Sequence, residues 1–198
     1  MLRRRAYPAL TPAHDPCLRA GGPVAPARIL LHSREALRMD IRPYASTDLN
    51  QLIDLTIATF GPFYEDSFRP LVGDLIFTRQ HGDWRGDYRK QLPGLHDPEQ
   101  HKYVAVAEQG GVLAGYVAWH VDLSREHGTI ELLAVGSEQR RSNLATSLCE
   151  HAFAALRAEG ARYVEISTGG DAFHAPARAF YESLGCIKLP VAVYFREL

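Results

Sequence analysis

Leu133-Ala-Val-Gly-Ser-Glu-Gln-Arg-Arg-Ser-Asn-Leu-Ala145 changes its period in the middle. Upstream, Thr129 to Val135 is an apolar run of strand length interrupted only by Glu131. Downstream, Leu144, Leu148, Ala152, Phe153 and Leu156 recur as one buried stripe of a helix over 144–159, and Gly160 stands where a left-handed residue closes it. Gly136 to Asn143 is therefore a strand-to-helix turn. Such a turn aims free backbone N–H groups and the positive end of a helix at one point, which suits an anion. Arg140 and Arg141 add two cations beside it; a plain loop with a solvated arginine pair is the competing reading.

Working outward, Tyr163-Val-Glu-Ile-Ser167 is another strand, Ala175 to Leu184 a last helix stopped by Gly185, and 186–195 a terminal apolar stretch. Upstream, Tyr103-Val-Ala-Val-Ala107, Gly110-Gly111 and Val112 to Val121 spell a hairpin, with a further turn around His127-Gly128. Asp40-Ile-Arg-Pro-Tyr44 alternates as a short strand that stops at its proline. Thr47 is placed to cap a helix carrying Leu49, Leu52, Ile53, Leu55, Ile57 and Phe60, which Gly61-Pro62 should end. A second, broken helix is expected within 66–91. Strands first joined in a hairpin and later alternating with helices predict a mixed α/β sheet.

Residues 1–38 hold five of the twelve prolines and seven arginines against two acids, and read as a disordered extension, with a short helix conceivable over Ala27–Arg38. The domain then spans 39–198, where 15 basic face 21 acidic side chains. That balance argues against nucleic acid as a partner, because phosphate binding needs a basic face, and leans toward a cationic small molecule. No apolar run approaches the ~20 residues of a membrane helix. Three scattered cysteines form neither a disulfide framework nor a zinc pattern. We expect a reduced, soluble, cytoplasmic protein without a bound metal.

Val135 to Ala145 resembles the coenzyme A pyrophosphate loop of the GNAT superfamily of N-acetyltransferases, written Arg/Gln-x-x-Gly-x-Gly/Ala and here Arg140-Arg-Ser-Asn-Leu-Ala145. Ala177-Arg-Ala-Phe-Tyr-Glu-Ser-Leu-Gly185 is similar to a second segment of that family, and the two stand in the family's order. The resemblance covers about 160 residues and implies a mostly antiparallel mixed sheet flanked by helices. Two departures stand out. The middle glycine of the loop is Asn143, the non-glycine residue most tolerant of positive φ. A common asparagine before the last helix is His174, which can contact the coenzyme, contact the acceptor, or cap the helix.

The resemblance implies direct transfer from acetyl-CoA to an amine. Backbone groups of Leu133, Ala134 and Val135 would pair with the pantetheine amides, and those of Arg140, Arg141, Ser142, Asn143, Leu144 and Ala145 would cradle the pyrophosphate. Tyr181 holds the family's general-acid position, and a phenol stays protonated at neutral pH. Glu131, a carboxylate in an apolar strand, is the candidate base, since partial burial would raise its pKa toward neutrality; the alternative is a carboxylate that binds the cationic acceptor or faces solvent at an edge. His120 on the neighbouring strand is the rival base or an acceptor contact. Tyr64, Glu65, Asp66, Trp84 and Asp87 interleave acids with aromatics, suiting a polycationic sugar or polyamine, and an aminoglycoside-type antibiotic is the leading acceptor. A protein or peptide amine is the alternative acceptor, and a non-catalytic acyl-CoA-binding module the alternative class. A homodimer is a further expectation.

Overall fold

The computed structural model describes residues 39–198, so the expected extension and the helix within it lie outside the described residues. The chain runs β1 (Asp40–Pro43), α1 (Leu49–Pro62), a π-helical stretch Phe63–Phe68, α2 (Arg69–Val72), α3 (Asp74–His81) and α4 (Trp84–Gln91). There follow β2 (Lys102–Gln109), β3 (Val112–Asp122), β4 (His127–Val135), α5 (Leu144–Ala158), β5 (Tyr163–Ile166) and α6 (Ala175–Ser183). The five strands lie in sequence order, antiparallel except for the parallel β4–β5 pair that α5 connects. This is the mixed α/β sheet the patterning predicts, mostly antiparallel as the family resemblance implies.

Alternation on β2 and β3 divides the core into two layers. Ala105, Ala107, Val117, Trp119 and Val121 face Leu144, Leu148, Ala152 and Leu156 of α5. Val104, Val106, Tyr116 and Ala118 face Leu52 of α1, with Leu92 and Leu95. A sheet covered on both faces explains why β3 is buried almost throughout instead of alternating with polar residues. The hairpin turn has φ 60° at Gly110 and 84° at Gly111, the two positive values a two-residue turn of this hand requires. Helix α5 ends in a Schellman closure: Ala161 N–H donates to Leu156 O and Gly160 N–H to Arg157 O, at 2.9 and 3.1 Å.

Three boundaries differ from the sequence reading, each for a packing reason. Gly61-Pro62 does not end the first helix; the chain continues helically, in wider π geometry from Phe63. Gly61 is needed because the Trp84 ring lies against it, 3.1 Å from where a Cβ would stand. Asp48 and not Thr47 ties the start of α1: its carboxylate accepts Ala45 N–H at 2.8 Å and both Arg42 terminal nitrogens at 2.7 and 2.9 Å. Arg42 also reaches Glu108 at 2.6 Å, joining β1, β2 and α1. His127-Gly128 already belongs to β4, and Gly128 makes room for Leu156. The terminal apolar stretch 186–195 has neither helix nor strand.

Candidate active site

Strand β5 pairs with β4 only over His127–Ile130. From Glu131 to Val135 the outer edge of β4 has no strand beside it among the described residues, so its backbone donors and acceptors are available. The parting begins at an irregularity: Ala118 pairs with Leu132 and Trp119 with Ile130, which leaves Glu131 as the extra residue of a β-bulge. A bulge bends its strand and re-aims the side chain it carries. Ala134 is buried beneath α1, while Leu133 and Val135 are half-buried toward α5.

Five residues beyond the bulge, about 16 Å along the strand, the chain turns into α5. Arg141 and Asn143 both take the left-handed conformation, at φ 64° and 62°. Asn143 therefore turns the chain as a glycine would, and its side chain makes no cap. The first helical bond is Ser147 N–H to Asn143 O, so the N–H groups of Leu144, Ala145 and Thr146 precede the α5 ladder. Arg140, Arg141, Ser142 and Asn143 are exposed around them. The Leu144 side chain points into the core, so only its backbone can serve an anion there. A cavity of about 410 Å³ adjoins this turn, between Leu55, Ala58 and Thr59 of α1 and Gly136 to Arg140.

Tyr181 is partly buried on α6. Burial, then the nearby Cys149 and Cys186 thiols, push its pKa well above the ordinary phenol value. Its proton is therefore retained across the neutral range, as an acid requires. The same burial pushes the Cys149 thiol up to about 12, which leaves it unreactive.

Glu131 is more open than a buried carboxylate, and fits the alternative of a group facing solvent. Its side chain is 37% exposed and its Oε1 stands 2.7 Å from His120 Nδ1, off the line of an aligned hydrogen bond. The bulge causes both features, by tipping the carboxylate out of the pleat toward the neighbouring strand. The two rival bases are thus one contact pair.

His174 precedes α6 without capping it through its side chain. Its Nδ1 instead meets Asp171 Oδ2 at 2.6 Å, and its backbone N–H donates to Asp171 Oδ1. Burial alone would raise the Asp171 pKa, but the bond to His174, its charge and backbone N–H groups outweigh it and hold the carboxyl low. The His174 ring packs against Phe63, with centroids 4.6 Å apart. Asp171 was passed over in the sequence, where Asp-x-x-His just before a helix was the available signal.

The acid-and-aromatic zone is largely occupied with itself. Trp84 is 2% exposed, stacked on Tyr64 at 4.7 Å, so it is a core residue and not an open wall. Glu65 accepts from the Trp84 indole at 3.1 Å and from Arg85 at 3.0 Å, with Arg69 at 3.7 Å, and these partners lower its pKa. Of the acids singled out in the sequence, Asp66 and Asp87 are exposed, Asp87 with Lys90 3.8 Å away. Tyr64 is half-buried, with its hydroxyl 3.3 Å from that of Tyr88.

With this geometry in hand, comparison with known proteins decides the family. The acetyltransferase (GNAT) family model matches residues 58–186. The chain belongs to that family. Acyl transfer is the family's chemistry. No curated protein matches the sequence. Solved structures of similar fold include a putative GNAT-family acetyltransferase from Desulfovibrio desulfuricans, at 16% identity and TM-score 0.57, covering 74% of this chain and 83% of that one. An aminoglycoside N-acetyltransferase, AAC(6')-Iy, in complex with CoA aligns at 15% identity and TM-score 0.56, over 81% and 95% of the two chains. The ribosomal-protein-S18-alanine N-acetyltransferase from Escherichia coli aligns at 19% and 0.55, over 75% and 77%.

Proposed function

We propose that this GNAT member moves an acetyl group from acetyl-CoA to a primary amine of a small cationic molecule. One observation carries the reading: the unpaired edge of β4 runs from the Glu131 bulge to the left-handed turn at Asn143 and the opening of α5. An anion held by the N–H groups of Leu144, Ala145 and Thr146, with Arg140 and Arg141 beside it, leaves an extended amide chain free to pair along Val135, Ala134 and Leu133. The bound coenzyme supplies the activated acetyl thioester.

In this reading Glu131, with His120 in contact, takes one proton from the acceptor ammonium; the neutral amine then attacks the thioester carbonyl, and the second proton that its nitrogen loses on becoming an amide restores the Tyr181 phenol. Tyr181 gives its proton to the departing sulfur. Asp171 fixes His174 at the foot of α6, beside Phe63, where the acceptor zone meets the coenzyme side. Free acceptor-binding charge is supplied by Asp66 and Asp87, since Glu65 is satisfied within the fold. The AAC(6')-Iy likeness in fold supports an aminoglycoside-type acceptor, hence resistance, and dependence on acetyl-CoA supports a cytoplasmic site of action. The self-filled acceptor zone favours a second reading, a peptide amine presented at an open surface.

Thiol release from acetyl-CoA, followed with aminoglycosides, polyamines and short peptides in turn, tests both readings. Turnover confined to polyamines or aminoglycosides is expected; turnover with peptides alone selects the second. Coenzyme binding by calorimetry without turnover on any amine would leave only a non-catalytic module.

A further inference from the structure

Beyond α6 the chain reads Cys186-Ile-Lys-Leu-Pro-Val-Ala-Val-Tyr-Phe-Arg-Glu-Leu198, without helix or strand. Its course is nevertheless set at four points. Lys188 Nζ meets Glu182 Oε1 of α6 at 2.7 Å. The Val191 carbonyl lies 4.0 Å from where a Cβ on Gly170 would stand, in the loop between β5 and α6. The Phe195 ring meets Phe68 of the π-helical stretch edge-on, with centroids 6.0 Å apart. Glu197 Oε1 comes as close, 4.0 Å, to the corresponding point on Gly73, between α2 and α3. The segment thus leaves the coenzyme side at Gly170 and lands on the acceptor side at Phe68 and Gly73.

Beneath it the same two sides touch directly. Phe68 packs on Phe63 at 5.6 Å, and Phe63 on Phe173 at 5.7 Å and on His174 at 4.6 Å. The chain from Gly170 to His174, then the rings of Phe63, Phe68 and Phe195, then the chain back to Val191 close a circuit around this seam. We propose that residues 191–197 form a strap across the mouth of the acceptor site, which admits a slender small-molecule amine and excludes a peptide. The proposal rests on the amine-transfer reading above and names the segment that chooses between its two acceptors.

Three physical points support the strap. From Val191 to Phe195 the extended chain reaches about 13 Å, at ~3.3 Å per residue, and side chains on the rim narrow the opening further. A peptide acceptor needs an open surface for its backbone and flanking side chains, and the strap crosses that surface. It is also lightly held: Val191 and Val193 are each 73% exposed and Phe195 44%, so the segment covers the mouth while contributing little to the core. Glu197 adds an exposed carboxylate on the side that carries Asp66, which suits a cationic acceptor.

Acetyl transfer to spermidine, to an aminoglycoside and to a short peptide with a free amino terminus is compared in the full chain and in a form ending at Leu189. Removing the strap should raise the ratio of peptide to small-amine kcat/KM about tenfold and leave acetyl-CoA affinity unchanged by calorimetry. Phe195→Ala, which frees only the landing on Phe68, should shift the ratio the same way by a smaller factor, and it does not depend on how the shortened form folds. An unchanged ratio in both variants overturns the strap and leaves the transferase reading standing. So does efficient peptide turnover by the full chain, or an equal loss with every amine, the mark of a merely structural segment. No turnover with any amine in either form would strike the transferase reading, and the strap with it.

Discussion

The coenzyme side and the acceptor side of this molecule are built on opposite plans. Along β4 and the opening of α5, the proposed coenzyme site relies on backbone groups that the fold leaves unpaired: β5 stops at Ile166, Glu131 bulges, and Asn143 turns left-handed without capping the helix. Between Phe63 and Tyr88 the side chains satisfy one another instead: Trp84 with Tyr64 and Glu65, and Glu65 with Arg85 and Arg69. An open backbone is a site wherever it lies on a rigid element, because each peptide carries its donor and acceptor regardless of sequence. A cluster of suitable side chains becomes a site only if the core has not already used them.

Substitutions can break or sharpen that contrast. The largest effect is expected for Tyr181→Phe, which should lower kcat by about 10²–10³-fold and leave acetyl-CoA affinity unchanged by calorimetry. An unchanged kcat would remove Tyr181 from the chemistry. Next, Asn143→Val forces a β-branched residue to φ 62°, costing about 1–2 kcal/mol, and should weaken acetyl-CoA binding about tenfold. Asn143→Gly should keep or improve the affinity, since glycine takes that conformation without strain. If both variants bind alike, the left-handed turn does not set the cradle.

A control away from both sides comes from the Arg42 bridge. The bonds from Arg42 hold the Asp48 carboxyl below its ordinary value. Its contribution is therefore complete above the unfolded carboxylate pKa and is lost as pH falls through the lowered folded value. Asp48→Asn should cost about 2–3 kcal/mol in urea titrations at neutral pH, with a smaller difference from wild type below pH 4. A pH-independent difference would contradict the assignment. The smallest effect is expected for Glu65→Gln on the acceptor KM, under twofold, because Glu65 is already bonded within the fold. Asp66→Asn should raise that KM more. The reverse order would show that Glu65 leaves its partners to bind substrate.

The coenzyme half was the more legible from sequence because its signals are local. A period change at Val135, an arginine pair, a residue tolerant of positive φ at 143 and the Leu144–Leu156 stripe all fall within two dozen residues. What escaped were relations between distant segments. Gly61 reads as a helix stop, but the Trp84 ring, 23 positions away, accounts for it. Thr47 reads as the cap, but the start of α1 is tied instead by Asp48, whose carboxylate binds Arg42 and the Ala45 N–H. Glu131 reads as a partly buried or edge-facing charge, and only a one-residue slip between β3 and β4 turns it outward onto His120.

The amino-acid order by itself determined where strands and helices lie after residue 101, the hairpin at Gly110-Gly111, and the turn at Gly136 to Asn143, because φ preference and apolar period act over a few residues. Tertiary structure alone decided which carboxylates stay free, where β4 and β5 part, and which edge remains open. Those outcomes depend on what each group meets across the sheet, and partnership at a distance is not encoded in any one segment.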